Sequence, residues 1–509
     1  MGDLPTRRQV AGAALFLSPA APSVAAANDL QSEVTVQSLL ALRKRPPHFD
    51  SVVNCLWREK PGDGGGGRFF WDPESTDSDD GGCTIASDVI SVGRWRREVN
   101  SPLSPIWFGA DPSGRDDSTL ALKAVLARNE DVYIPAGNFR ITDTLAIVKA
   151  GRRITGAGQG ATKIVMMGRN RPIIRWWGAR TALENLLLEY AIPQQIEDTE
   201  SAGITVDNTG PKNTRFLQKS SIRNVSIRNS YIGILVPNGS VFFSVTVDNV
   251  EVDGYAKSAF YMAEGASGTG SAILNLYTQN RMQECLGPVV QFSAIVEGFV
   301  GQINIEHTKV RDHALCFVSS DHVSVSSVHI EDCHLLSPGK GFVAAAGSIL
   351  VSMDVLSVQF ADISVKSSIF FLYGQPKLSV QSLTLRDLRG PSTLSPYTYR
   401  RSALHHGPVG ELEVTSVYLA RGASERLSPP VEVNQLGEES AILRQWGRDV
   451  YFRQLNGYRE YFGSSAPPSA GRFNVGDRVY NAKPQIGEPV WWICLTGGSP
   501  GTWQAGPRL

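Results

Sequence analysis

Residues 301–334 read GQINIEHTKVRDHALCFVSSDHVSVSSVHIEDCH, and one short pattern occurs twice in them. Ile303 and Ile305 flank a single polar residue, and 25 positions later Val328 and Ile330 do the same. Alternation with a period of two predicts a strand with one buried face. The pattern extends both ways: Val225/Ile227 in SIRNVSIRNS (221–230), Val250/Val252 in VTVDNVEVDG (245–254), Leu274/Leu276 in AILNLYTQN (272–280) and Val358/Phe360 in LSVQFADIS (356–364). The steps between these pairs are 25, 24, 29, 25 and 30 residues. Helical periodicity is missing from residue 150 to residue 430. Together these features predict a solenoid of parallel β-strands, one coil per repeat, with variable loops on one side. Asn224, Asn229, Asn249 and Asn280 fall where coil corners are expected, because asparagine tolerates left-handed backbone angles.

The totals narrow the function classes. Lysine plus arginine and aspartate plus glutamate are equal at 49 each in the 509 residues, so no basic excess exists to neutralise nucleic-acid phosphates. The six cysteines, Cys55, Cys83, Cys285, Cys316, Cys333 and Cys494, include no CxxC pair. That excludes a disulfide framework and a zinc-finger spacing; Cys316 and Cys333 read as small buried hydrophobes. TRRQVAGAALFLSPAAPSVAAAND (6–29) has paired arginines, an uncharged run and small residues suited to cleavage, which predicts a twin-arginine-like leader over 1–27 and export. The run is short and broken by Pro19 and Pro22, and no other segment reaches membrane-spanning length.

Residues 28–104 form a Gly- and Asp-rich region of short β-branched and aromatic runs, expected to fold as a β-rich cap. A helical spacing over 118–127, with Leu120, Leu122, Val125 and Leu126 apolar and Asp116 and Asp117 at its start, opens the solenoid assigned to 105–435. A small β module is assigned to 436–509. The stretch FGADPSGRDDSTLALKAVL…VYIPAGNFRIT resembles the start of the pectate-lyase-like right-handed parallel β-helices, a superfamily that includes phage tailspikes and secreted polysaccharide depolymerases. GGGGRFFWDPESTDSDDGG…GRWRR upstream and VGDRVYNAKPQIGEPVWWICLTGGSPGTWQAG downstream are similar to segments flanking such helices. The resemblance implies a carbohydrate polymer as partner and often a homotrimer. It leaves the reaction open, since one fold hosts many chemistries.

The repeat turns into geometry. With the apolar pairs inward, the residues between and after them point outward and stack coil on coil. One expected column reads Glu189, Arg228, Asp253, Tyr277, Glu306, Glu331, Ala361; a second reads Ser226, Glu251, Asn275, Asn304, His329, Gln359. Neighbouring coils put Glu306 and Glu331 about 5 Å apart, where two carboxylates do not ionise independently and one can act as an acid. Glu306 and Glu331 are therefore the expected catalytic pair, with Asp253 as an alternate partner and His329 tuning protonation. Arg228, Tyr277, Asn304 and Glu251 are expected to bind sugar. The leading expectation is an exported bacterial hydrolase of a complex or acidic polysaccharide. A lyase acting by β-elimination at a uronate, with Arg228, Tyr277 and His329 in the leading roles, is the rival; a non-catalytic glycan-binding adhesin is the alternative of another class. No metal ligand set is assigned and no cofactor is required, with calcium left open because paired carboxylates supply oxygen ligands. GRNRPIIRWWGAR (168–180) reads either as a sugar-stacking strip or as core.

Overall fold

The alternating segments are strands of one parallel ladder. In the computed structural model, residues 34–48, 52–206, 216–364, 367–389, 395–400, 411–419, 452–455, 458–464, 466–469, 473–481, 483–498 and 500–509 are described. The leader expected at 1–27 lies outside them. Ala182–Tyr190, Ser221–Arg228, Thr246–Asp253, Ala272–Gln279, Phe299–Glu306 and Val323–Glu331 pair side by side in parallel, one long strand per coil. The ladder continues through Gly341–Gln359, Ser368–Arg386 and Glu411–Leu419. Shorter strands such as Ile232–Val236, Ser258–Met262, Val290–Ser293 and Leu315–Val318 build the next wall. The architecture is an all-β parallel β-helix. A five-stranded sheet spanning 34–97 precedes it and another spanning 452–505 follows it.

The inward residues of each long strand follow a 3,2 spacing rather than plain alternation. Val247, Val250 and Val252 stack under Ile273, Leu276 and Thr278, then Val300, Ile303 and Ile305, then Val325, Val328 and Ile330, each at most 2% exposed. The wider gap exists because the strand bends in mid-course. Asn185, Asn224 and Asn249 take φ of +60°, +50° and +50° inside their strands. Their amides form a ladder along the outside, from Asn249 Nδ2 to Asn224 Oδ1 at 2.8 Å and from Asn224 Nδ2 to Asn185 Oδ1 at 2.9 Å. Asn229 is left-handed at a corner as expected, whereas Asn280 is not; it is buried and donates to Tyr255 O at 2.7 Å.

This bend corrects two of the expected pairs. Leu274 is half-buried and Thr278 takes the inward place, so the third pair is Leu276/Thr278. Leu356 and Val358 point inward, while Phe360 turns the corner at φ +50°. The steps counted from Val225 to Val250, Leu276, Ile303, Val328 and Leu356 become 25, 26, 27, 25 and 28 residues, more even than the sequence pattern.

Apolar burial at roughly 1.5–3 kcal/mol per large side chain drives the stacking. In the core, Phe242 from the short strand Val241–Phe243 and Phe260, Phe292 and Phe317 from the second wall form a file with ring centroids 6.0, 5.4 and 5.5 Å apart. The helix Thr119–Ala127 closes the N-terminal end by burying Leu122, Val125 and Leu126, while Leu120 stays 82% exposed, against its expected apolar role. Before that helix, Asp111 accepts backbone N–H bonds from Ser113, Arg115 and Asp116 at 2.9 Å each and holds the loop in shape. Those bonds hold its carboxyl far below the usual carboxylate range. The N-terminal sheet docks through Arg97, whose guanidinium lies between the Phe69 and Trp107 rings, 4.6 and 4.8 Å from their centroids, and donates to the carbonyls of Gly65, Gly66 and Gly82. Trp176 is core, donating Nε1–H to Gly178 O at 3.0 Å, so that part of the 168–180 strip is not available for sugar stacking. All six cysteines are free and buried.

Candidate active site

The corrected register rewrites the outward columns. The column at the strand ends runs Glu189, Arg228, Asp253, Gln279, Glu306, Glu331, Gln359 and Arg386. Two positions before it run Ser226, Glu251, Tyr277, Asn304, His329 and Ser357. Tyr277 therefore belongs to the inner column, not beside Asp253, and Gln279 takes its expected place. Ala361 and Asn275 leave the columns, and Gln359 moves to the outer one.

Glu306 and Glu331 remain direct neighbours in the ladder. Both are partly buried, and together with His329 they present ligand-type atoms all within 4.8 Å of one another. Each carboxylate has its own aromatic partner. Tyr277 donates its hydroxyl to Glu306 Oε2 at 2.9 Å, and His329 Nε2 lies 2.9 Å from Glu331 Oε2. Burial first, then the bond to Glu306, pushes the Tyr277 hydroxyl up to about 12. At neutral pH it is a neutral donor that fixes one oxygen of Glu306. Asn304, between Tyr277 and His329 in the inner column, is held by Gln302 Nε2 at 3.1 Å.

Asp253 lies two ladder steps from Glu306, about 10 Å, with Gln279 between them. Burial raises its carboxyl, with the Arg228 charge pulling the other way, the Glu251 charge adding to the rise, and Arg281 and a hydrogen bond from Gln279 opposing it. The net effect is that Asp253 holds its proton more tightly than an ordinary aspartate. Glu251 accepts from Ser226 Oγ at 3.1 Å, and Arg228 is exposed at the column edge. Two residues were missed at the sequence level: Gln279 and Arg281. The first is recoverable by aligning the 3,2 spacing; Arg281 follows the strand and carries no periodic signal.

Of the four other histidines in 301–334, two stand apart and two meet at Asp332. His313 is buried with its Nδ1 at the backbone of Gly341, and His322 is exposed beside Asp321. His307 and His334 belong to an ion-pair cluster past the corner, with Asp332, Asp362 and Arg389. Among the described residues the group Glu306, His329 and Glu331 is the one with metal-ligand spacing. Two carboxylates and an imidazole do not fit calcium, which takes six to eight oxygens. No helix among the described residues is long and apolar enough to cross a membrane.

The fold is that of the parallel β-helix proteins to which phage tailspikes belong. The gp42 tailspike of Acinetobacter phage vb_AbaP_AS12 superposes at a TM-score of 0.55, with 14% identity over 81% of this chain and 78% of that one. Residues 35–101 match a named family, the phage tail protein small four-stranded beta-sheet domain. Further similar structures are the enzymatically active domain of tailspike protein 2 of bacteriophage CBA120 (TM-score 0.46, 13% identity, 76% of this chain and 57% of that) and WceF of Pantoea stewartii, described as a glycan biofilm modifying enzyme (TM-score 0.46, 18% identity, 75% and 50%). The chain thus spans half to little more than half the length of these two. A comparison with curated proteins finds no match.

Proposed function

We propose that the protein is an exported enzyme that cleaves glycosidic bonds of a complex or acidic polysaccharide at the outer face of the long-strand sheet. The observation that carries this reading is the Glu306/Glu331 pair, one ladder step apart and each anchored by its own hydrogen-bonding ring. A separation of this kind suits a retaining double displacement, for which the two carboxyls stand about 5 Å apart. Glu306, fixed by Tyr277, attacks the anomeric carbon. Glu331, in contact with His329, protonates the departing oxygen and then takes a proton from the incoming water. Glu251, Asn304, Gln279 and Arg228 line the same two columns and hold hydroxyl or carboxylate groups of the sugar. The fold shared with a tailspike, and the glycan-modifying description of one similar protein, support a polymeric glycan as substrate. The homotrimer expected from the resemblance is part of this reading.

The lyase reading keeps one observation in its favour: Arg228, Arg281 and His329 lie along the groove that would hold a uronate. Against it, the Tyr277 hydroxyl is a poor base at neutral pH. Incubation of the leader-free chain with a panel of bacterial and plant polysaccharides separates the readings. New reducing ends without unsaturated-uronate absorbance support hydrolysis. Both signals rising together make it a lyase, and binding without either makes it an adhesin.

A further inference from the structure

At the opposite end of the long strands a second cavity, of about 490 Å3, opens on the corner that precedes each strand; it is lined by Arg152, Arg153, Arg180, Lys219, Arg223 and Asp131 among others. Five cations face one carboxylate. Arg153 is committed to Glu184 at 2.6 Å. Arg180, Lys219 and Arg223 have no ion pair with any described residue, and all three are exposed at the cavity mouth. At the back, Arg152 is 3% exposed. Its terminal nitrogens donate to the carbonyls of Leu126 and Arg128, and its Nε–H is buried without a partner. A buried guanidinium N–H left open beside unpaired cations is costly unless something accepts from it.

The corner itself brings two of these cations together. Arg180 and Lys219 take φ of +54° and +50°, and Arg180 N and Lys219 N each donate to the next coil, to Gln218 O and Phe243 O at 2.9 Å. The same corner one and two coils further along is Ser244 and Gly270, small residues at φ +50° and +58°. Thr181 and Ser220, also in the lining, give their hydroxyl hydrogens to backbone carbonyls, Thr181 to Lys149 O or Ala179 O and Ser220 to Gln218 O or Gly178 O, so the donors left for a ligand are those of the cations.

We propose that this cavity binds an oxyanion, a carboxylate, sulfate or phosphate, carried by the glycan. The strand Ser221–Arg228 beneath it is three ladder steps from Phe299–Glu306, about 14 Å along the helix, and the strand itself adds about 20 Å across the sheet, so an extended polymer of several sugar units is needed to reach both places. The assignment of the anion to a glycan rests on the function proposed above; the anion site itself does not.

The test is calorimetric titration of the leader-free chain with sodium sulfate, with an oligogalacturonate and with neutral maltohexaose, repeated on the Arg180→Ala/Lys219→Ala double variant. The wild type binds sulfate, and binding weakens as sodium chloride rises to about 0.5 M, since the exposed charges are screened. The double variant loses affinity by about tenfold or more at unchanged Tm. An oligogalacturonate bound about tenfold tighter than sulfate assigns the anion to a glycan; equal affinities assign the site to a free anion and overturn the glycan part. The Glu306→Gln/Glu331→Gln chain binds sulfate as the wild type does, so a failure of the catalytic reading leaves this result standing. No sulfate binding by the wild type, equal binding of maltohexaose, or an unchanged affinity in the double variant overturns the anion site.

Discussion

The Tyr277 hydroxyl donates to Glu306 Oε2 at 2.9 Å across one ladder step. The contact exists because Tyr277 stands in the inner column while Glu306 ends the next strand, so the ring reaches diagonally toward the carboxylate. It holds one oxygen of Glu306, Oε2, and leaves Oε1 free of this bond. Tyr277→Phe removes only the hydroxyl and is expected to lower kcat by about ten- to a hundredfold with little change in KM. Steady-state kinetics on the cleaved polymer check this; a larger change in KM than in kcat would make Tyr277 a binding residue.

Burial raises the Asp253 carboxyl above its ordinary value. A raised folded-state value means its favourable contribution is complete below the unfolded value, about 3.9, and is lost as the pH rises through the folded one. Asp253→Asn is therefore expected to raise Tm at pH 7, with the gain shrinking as the pH falls toward 4. Thermal unfolding of both chains across that range measures it. A Tm that falls at pH 7 contradicts the assignment.

Asp111 works with the opposite sign. Its three backbone N–H bonds hold the carboxyl low. Its contribution is present above the unfolded value, about 3.9, and disappears only as the pH falls below that. Asp111→Asn should cost about 1 kcal/mol at neutral pH, since the loop is largely exposed. Denaturant titration at pH 7 and again at pH 3 should show the penalty shrinking at the lower pH.

Phe292 is fully buried between Phe260 and Phe317, with centroids 5.4 and 5.5 Å away. Phe292→Ala leaves a cavity between coils and should cost about 3–5 kcal/mol. Phe292→Leu should recover most of that. Chemical denaturation reports both.

Two carboxylates and an imidazole make a poor calcium site. Turnover is accordingly expected to survive EDTA and to be unaltered by added calcium. An activity abolished by the chelator and restored by one divalent ion would replace the acid–base account of Glu306 and Glu331 with a metal-centred one.

The coil repeat, the capping helix and the Glu306/Glu331 neighbourship were legible because a two-residue period and a repeat near 25 residues are direct consequences of pleat and stacking. What the sequence hid was the bend. A left-handed asparagine at position 249 adds one residue between Val247 and Val250 without leaving the strand. Ala272–Gln279 keeps the same 3,2 spacing without a left-handed residue, so plain alternation chose Leu274 over Thr278 and placed Tyr277 one column out. Thr278 was the obstacle, because a threonine that is wholly buried looks like an outward residue on paper. Side-chain bonds such as Tyr277 to Glu306 and His329 to Glu331 follow from rotamers, on which the period is silent. The basic cavity escaped notice for another reason: its cations, from Arg152 to Arg223, are spread over some seventy residues and meet only when the coils stack.

The measurement that tests the central claim most directly is turnover and binding by Glu306→Gln and Glu331→Gln on whichever polymer the wild type cleaves. Each substitution keeps the side-chain shape and removes the charge. The account predicts that each variant loses at least about a thousandfold in kcat while still binding the polymer, and that the double variant is little worse than either single one, as for groups acting as a unit. Near-normal turnover in either variant would contradict the pair and move the chemistry to another part of the groove.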